Sequence, residues 1–274
     1  MMQIKNKEKI SFIEVENWYE KVRSDCHVSF LSEEDQAYVV SKNRNASESI
    51  LINPAKSAYF KHAFVMPFWE MAKFFFKDTK RPHLLDLGAG VGTQSLFFAM
   101  CGASVTAIDM DKRALEILEK RRKHYESELG KTLDITCVCA NTVTFDYSTV
   151  PRFDGVYSLF AFNLMKPVDQ LLQKLTSHLA PLGKVAILDG NVSSLMNQLM
   201  PSRKREALSP SELGTSLQDL DLRIVDQKGQ MVLPSVFWKE TLTWPMKVVN
   251  ATLRLGNWKF PYSHLLLAEK NEKN

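Results

Sequence analysis

The chain has 274 residues, of which 45% are hydrophobic and 24% are charged, an ordinary globular composition with room for one large domain or a domain with additions. Its net charge of +4 falls short of the strongly basic balance of a dedicated nucleic-acid binder. The four cysteines lack a second pair at metal-ligand spacing, so no metal site is expected.

The amino-terminal segment MMQIKNKEKI has no apolar stretch of the kind that secretory signals carry. No apolar run reaches the roughly 18 residues that a membrane helix requires. The sparse cysteine usage suits a reducing compartment. We therefore expect a cytoplasmic protein without a membrane partner.

Residues 1–80 are predicted to be helical and to form a cap. Ser32 and Asp35 have the spacing of a capping box, which indicates the start of a helix. Residues 57–77 are rich in aromatic side chains, and Pro67 is expected to kink or interrupt the helix that they form.

From residue 83 onward, short apolar runs alternate with helix-length segments. The predicted strands are HLLDLG, SVTAID, residues 133–140, residues 155–160, GKVAILD, residues 222–232 and residues 263–269. Alternation of this kind predicts an α/β fold with a doubly wound, mostly parallel sheet of seven strands. The two late strands, joined by an insertion at about residues 233–260, are expected to pair antiparallel at the edge of the sheet. The chain thus divides into a cap, residues 1–80, and a core, residues 81–274.

The turn after the first predicted strand, LLDLGAGVGTQS, contains three glycines. Their spacing is tighter than the G-x-G-x-x-G pattern of dinucleotide sites, and Asp86 precedes them, where a carboxylate would repel a pyrophosphate. Asp109 ends the second strand, where an acid accepts hydrogen bonds from ribose hydroxyls. The features together describe a ligand with a ribose, a positive charge and no phosphate, which is the profile of S-adenosylmethionine (SAM). An NAD-type dehydrogenase is the alternative at this point.

DLGAGVG followed by AIDMD resembles motifs I and II of the class I SAM-dependent methyltransferases, and FDGVYSLFAF resembles their motif IV. The resemblance covers about residues 83–190. It implies a Rossmann-like sheet with an antiparallel last strand and SAM as the cofactor. The implied cofactor-binding residues are Asp86, Gly88, Ala89, Gly90, Thr93, Asp109, Met110, Asn141, Thr142, Phe160 and Ala161. Asn141 stands where the family often has an acid that touches the adenine amino group.

Motif IV also bears on the methyl acceptor. It reads Ala161-Phe162-Asn163-Leu164, without the proline pair of enzymes that methylate adenine N6 or protein glutamine, so those acceptors are disfavoured. A catechol-type, metal-dependent enzyme would need acidic ligands after the fourth strand, where this chain offers only Asn163. No metal is therefore assigned.

The acceptor pocket is expected to come from the cap and from the insertion. Tyr19, His62 and Phe162 are predicted to act in catalysis. The predicted substrate-binding residues are Trp18, Asp35, Arg44, Asn163 and Trp238. Core packing is the alternative for the aromatic residues, and a solvated helix face is the alternative for Asp35 and Arg44.

The sequence is thus interpreted as a methyltransferase that acts on N or O of a small molecule or short peptide in specialised metabolism. A peptide Nα-methyltransferase of the plantazolicin type is one concrete form of this prediction. An RNA methyltransferase and a SAM-binding partner protein without catalysis are the alternatives. The mildly positive charge permits RNA, but no separate RNA-binding module is visible, so a nucleic-acid partner is disfavoured.

Overall fold

The computed structural model describes residues 10–24, 30–42, 54–195, 208–230 and 263–271, with the single positions 198, 245, 248, 252 and 261. Its helices are α1 (Phe12–Ser24), α2 (Glu33–Lys42), α3 (Pro54–Phe75), α4 (Thr93–Met100), α5 (Lys112–Leu129), α6 (Val168–His178) and α7 (Pro210–Asp219). Its strands are β1 (His83–Leu87), β2 (Ser104–Asp109), β3 (Ile135–Cys139), β4 (Phe153–Leu159), β5 (Leu179–Gly190), β6 (Leu222–Gly229) and β7 (Ser263–Lys270).

The seven strands form one sheet in the order β3-β2-β1-β4-β5-β7-β6. The pairs among β1 to β5 are parallel, whereas β7 runs antiparallel to both of its neighbours, β5 and β6. This arrangement confirms the predicted Rossmann-like sheet and its antiparallel last strand. The strand order reverses between β1 and β4, and ligands of such sheets bind at the carboxyl ends of the strands at that switch point.

Each face of the sheet carries its own hydrophobic core, because neighbouring residues of a strand point to opposite faces. Leu84 of β1 packs in the core that includes residues of α1, α3 and α4. Leu85, the next residue, packs in the core that includes residues of α6 and α7. The amino-terminal helices therefore share a core with the sheet that they cover. The division of the chain at residue 80 stays a prediction.

Helix α3 continues through Pro67 to Phe75, so Pro67 does not interrupt it, and a kink at Pro67 stays a prediction. A proline inside a helix costs about 3 kcal/mol because a backbone hydrogen bond is lost. Val65, Phe68 and Met71 on the same helix are at most 2% exposed. Burial of these side chains against the sheet offsets the cost. None of the helices in the described ranges is long and apolar enough to cross a membrane.

Candidate functional site

The glycine turn between β1 and α4 has three glycines with positive φ, and two of them are closely packed. A Cβ on Gly88 would lie 2.6 Å from the Ala161 Cβ, and a Cβ on Gly92 would lie 2.0 Å from a methyl carbon of Leu118. A Cβ on Gly90 would meet no atom of the described residues within 4 Å. Gly88 and Gly92 therefore allow close packing of the turn, and Gly90 borders open space into which a ligand can approach.

Asp86, on β1, is buried beneath this turn with an exposed fraction of 3%. Its Oδ2 accepts hydrogen bonds from Ser95 Oγ at 2.6 Å and from the Tyr157 hydroxyl at 3.0 Å. Burial raises the pKa of Asp86 to about 7, since desolvation penalises the charged form; the charge of Asp109 adds to this and the two hydroxyls oppose it. A cation beside this carboxylate would favour its charged form.

Asp109, the last residue of β2, connects that strand to the glycine turn. Its Oδ2 accepts from the Gly90 N–H at 2.7 Å, and its Oδ1 accepts from the Asp111 N–H at 2.8 Å. The adjacent Met110 side chain is 68% exposed. An acid held at the end of β2 and an exposed apolar side chain beside it thus border the open space at Gly90.

Arg121, on α5, supports the glycine turn from inside the protein and was not anticipated from the sequence. Its side chain is 1% exposed. Its Nη1 donates to the Val91 carbonyl at 2.6 Å and to Thr93 Oγ1 at 3.1 Å. One signal was present, because Arg121 falls three residues after Leu118 and four before Tyr125, on the buried stripe of the helix.

The residues after β3 and β4 lie at the same carboxyl edge. Asn141 is exposed, and its Oδ1 accepts from the Val143 N–H at 2.9 Å, which closes a tight turn. Thr142 is buried, and its carbonyl accepts from the Tyr147 hydroxyl at 2.7 Å. Phe160 has a φ of 55°, which is uncommon for a residue other than glycine and often marks functional sites.

Aromatic rings connect α1 with the end of β4. The ring of Tyr19 stacks on that of Phe64 with centroids 5.8 Å apart and an interplanar angle of 11°. Phe64 in turn contacts Phe160, with centroids 5.6 Å apart. Tyr19, predicted to be catalytic, is therefore connected through one ring to the residue that precedes Ala161.

Trp18 and Phe162 are core residues in the structure. Trp18 is 2% exposed and its ring packs against Phe97 and Tyr125, at centroid distances of 6.3 and 5.1 Å. Phe162 is 1% exposed and belongs to the core on the face of α6 and α7. These surroundings favour packing roles for both residues over the predicted contact with an acceptor.

Asp35 also has a different environment from the one expected of a substrate-binding residue. It is 6% exposed, and it forms ion pairs with Lys120 and, at 3.8 Å, with Arg113 of α5. The hydrogen bond from Lys120 lowers the pKa of Asp35 below its ordinary value. The geometry therefore favours a role in holding α2 against α5.

Asn163 lies between the loops that follow β4 and β5. Its N–H donates to Asp189 Oδ2 at 2.8 Å, and its Nδ2 donates to the Gly190 carbonyl at 3.5 Å. Asn163 is 8% exposed. It connects the segment that follows β4 to the last two residues of β5.

Three of the predicted acceptor-side features lie outside the described residues. They are Arg44, Trp238 and most of the insertion at 233–260. His62 is described only as part of the backbone of α3. Within the described ranges, no group of three or more His, Cys, Asp or Glu residues is arranged to hold a metal ion.

Comparison with known proteins assigns the region around this site. Residues 84–183 match the family model described as a methyltransferase domain. The chain is also 34% identical over 108 residues to a cypemycin N-terminal methyltransferase from Streptomyces sp. That similarity covers 39% of this chain and 40% of the relative, so it spans less than half of either protein.

Similar solved structures extend the comparison to most of the chain. The magnesium protoporphyrin IX methyltransferase of Synechocystis PCC 6803 with bound SAM has a TM-score of 0.55 at 13% identity, covering 92% of this chain and 97% of that one. The N-methyltransferase NodS of Bradyrhizobium japonicum WM9 has the same TM-score and identity, covering 82% and 92%. The [4+2]-cyclase SpnF has a TM-score of 0.52 at 14% identity, covering 81% and 97%. At these identities the likeness concerns the fold, and residues 84–183 within it match a methyltransferase domain.

Proposed function

We propose that this chain transfers a methyl group from SAM to N or O of a small molecule or short peptide, with an amine as the preferred acceptor. The observation that carries the proposal is the open space at Gly90, bordered by the carboxylate of Asp109 and lying above the buried carboxylate of Asp86. This arrangement lies within the residues that match a methyltransferase domain.

The residues at this edge fit the parts of SAM. Asp109 is suited to accept from ribose hydroxyls, and Met110 offers an exposed apolar surface to the adenine. Asp86, Gly88, Ala89, Gly90 and Thr93 would hold the methionine part. Asn141 and Thr142 would border the adenine amino group, and Phe160 and Ala161 the methionine arm. SAM supplies a methyl group that is already activated by its sulfonium.

Because the donor is activated, the protein has to align the acceptor and exclude water. The rings of Tyr19, Phe64 and Phe160 form an apolar wall leading to the end of β4, and this wall suits the exclusion of water. An amine that arrives neutral needs no general base, whereas a hydroxyl usually needs one. Because its ring is part of this wall, we assign Tyr19 to the acceptor pocket. Because a neutral amine needs no general base, we assign that role to none of the described residues.

The choice of an amine acceptor rests on the cypemycin N-terminal methyltransferase, whose name places methyl transfer at a peptide amino terminus. The mention of cypemycin in the relative's name also favours a role in specialised metabolism. The structural likeness to NodS, named an N-methyltransferase, is compatible with this choice but describes only the fold.

Two measurements test the proposal. Calorimetry with SAM, its demethylated product S-adenosylhomocysteine (SAH) and NAD is expected to show binding of the first two and no binding of NAD. Methyl transfer is then measured with short peptides that have either a free or an acetylated amino terminus. Transfer to the free peptides alone supports the amine acceptor.

Other results would redirect the assignment. Binding of NAD with no response to SAM or SAH would contradict the cofactor. Binding of SAM with no transfer to any amine or hydroxyl acceptor would indicate another use of the same fold, as the cyclase SpnF illustrates. RNA affinity that falls steeply with salt would favour a nucleic-acid acceptor.

A further inference from the structure

One face of α5 forms the support on which the glycine turn rests. Gly92 lies so close to Leu118 that no side chain fits between them. The Val91 side chain packs with Ala114 and Ile117 of the same helix. The position of α5 therefore determines where the turn can lie.

Arg121 adds a polar connection to this packing. A buried charge is costly unless it is hydrogen-bonded, so a guanidinium that is 1% exposed needs partners within the protein. Its Nη1 bonds to the Val91 carbonyl and to Thr93 Oγ1, on either side of Gly92. These bonds fix the direction of the Val91 carbonyl and hold the first residue of α4 beside it.

We propose that Arg121 is a positioning residue for SAM, because it holds the Val91–Thr93 segment in the orientation that lets Gly90 face the ligand. The inference rests on the proposed function, since it takes SAM as the ligand of the turn. It adds a requirement to those of the glycine motif and of Asp86 and Asp109. The turn also needs a buried cation on the side opposite the ligand. Arg121 acts through the backbone and touches no reacting atom.

The test compares Arg121→Met and Arg121→Lys with a matched control. Arg122 is the neighbouring arginine of the same helix, and it pairs with Glu119 and Glu126 rather than with the turn. Arg122→Met thus removes an arginine and its ion pairs without changing the contacts of the turn. All variants are measured as the full chain.

We expect Arg121→Met to weaken SAH binding by about tenfold or more, because hydrogen bonds from a charged donor are lost. The KM for SAM should rise in parallel, while kcat at saturating SAM stays close to that of the wild type. Arg121→Lys, which keeps the charge and fewer donors, should restore part of the affinity. Arg122→Met should bind SAH as the wild type does.

A second readout does not depend on the ligand. Amide hydrogen exchange at residues 91–93 of the free protein should become faster in Arg121→Lys and Arg121→Met and stay unchanged in Arg122→Met. If the wild type does not bind SAH, the proposed function fails, while the exchange data still test the support of the turn. Should Arg121→Met not fold, Arg121→Lys decides. Wild-type exchange and wild-type SAH affinity in a folded Arg121 variant would overturn the inference.

Discussion

Burial and the binding of a cationic ligand have opposite effects on the charge of Asp86. The protein interior favours the neutral acid and raises its pKa to about 7. A cationic ligand in the adjacent space favours the carboxylate. The residue is therefore expected to reduce the stability of the free protein at the pH where it is most useful for binding.

The first prediction concerns this cost in the variant Asp86→Asn. Between these two pKa values, Asp86 is protonated in the folded state, where its pKa is about 7, and ionised in the unfolded state, where its pKa is 3.8. The free energy of unfolding of the wild type should therefore fall as the pH rises from about 4 to about 7, by at most about 4 kcal/mol. Asparagine keeps an acceptor for Ser95 and Tyr157 without the charge.

Urea unfolding of wild type and Asp86→Asn near pH 5 and near pH 8 measures the effect. The variant should gain stability relative to the wild type at the higher pH and bind SAM, which carries the sulfonium charge, more weakly. An equal stability difference at both pH values would contradict a raised pKa for Asp86.

The second prediction separates the roles of two glycines in the turn. Gly88→Ala brings its Cβ within 2.6 Å of Ala161 and should destabilise the fold. Gly90→Ala meets no atom of the described residues within 4 Å, so it should cost only the strain of positive φ, about 1 kcal/mol. Its methyl would enter the space proposed for the ligand.

Gly130→Ala is the control for that strain, since Gly130 has a φ of 61°, open space around its Cβ position and a place at the end of α5. Thermal unfolding and SAH calorimetry are compared across the three variants. Gly90→Ala and Gly130→Ala should lose similar stability, and Gly90→Ala alone of these two should lose SAH affinity. Equal SAH affinity in both would argue against a ligand at Gly90.

The sequence predicts the role of a residue where its place in a motif is enough. It does not predict the role where this depends on which distant residue the side chain contacts in the fold. Asp86 and Asp109 could be assigned to the turn region because each lies near the carboxyl end of a recognisable strand. Arg121 lies in KRALEILEKRRKHYESEL, where one arginine differs little from the next. Its register with Leu118 and Tyr125 indicates that Arg121 lies on the buried face of α5, but only the packing of α5 against the turn shows which groups it bonds to.

At the level of elements, α2 is held on α5 by polar and apolar contacts close to the turn. Leu31 and Val39 pack with Val91 of the turn in one small core. The Tyr38 hydroxyl donates to Asp111, which accepts from the Ala114 N–H at the start of α5. The contacts of α2 therefore reach the residue that follows Met110.

The third prediction tests how α2 is held. Asp35→Ala should lower the free energy of unfolding by about 1 kcal/mol, because its partners Lys120 and Arg113 are partly exposed and water screens the pairs. Glu34→Ala is the control, since Glu34 pairs with the same Arg113 but is 80% exposed. Its effect should be smaller.

Urea unfolding and amide exchange in α2 measure both variants. Faster exchange throughout α2 in Asp35→Ala, with little change in Glu34→Ala, is the expected result. A loss of methyl transfer in Asp35→Ala with unchanged α2 exchange and stability would instead restore Asp35 to the substrate site.

The helices and strands of the core were predictable because short apolar runs alternate regularly with helix-length segments. The continuity of α3 through Pro67 was not, since a local rule gave an interruption and burial of Val65, Phe68 and Met71 outweighed it. Trp18 shows the same limit, because aromatic residues at helical spacing can line a pocket or fill a core. The ring contacts with Phe97 and Tyr125 favour the core.

For the whole molecule, the fourth prediction is that SAH stabilises the fold by mass action. A ligand at about a hundredfold excess over its Kd adds about 2.7 kcal/mol to the free energy of unfolding. For a chain of this size the Tm should rise by several degrees. A thermal scan with SAH and, as control, with adenosine alone measures the shift. An unchanged Tm at high SAH would contradict the proposed cofactor.

The architecture of the sheet was predictable as a class, because strands that alternate with helices pair in parallel and cross over in one hand. The place of β7 was predicted less fully. Its antiparallel direction followed from the late pair of strands, but its position between β5 and β6 depends on pairing across the sheet. No local sequence pattern predicts which strands a given strand will pair with.

The internal position of β7 has a consequence for the order of synthesis. On the ribosome β5 and β6 are made before residues 263–270, yet in the sheet each hydrogen-bonds to β7 and not to the other. Until those residues emerge, the inner edge of each strand exposes unpaired backbone groups, and β6 has no neighbour in the sheet. Such edges can pair with other chains, so this interval is where a nascent chain would most need a chaperone.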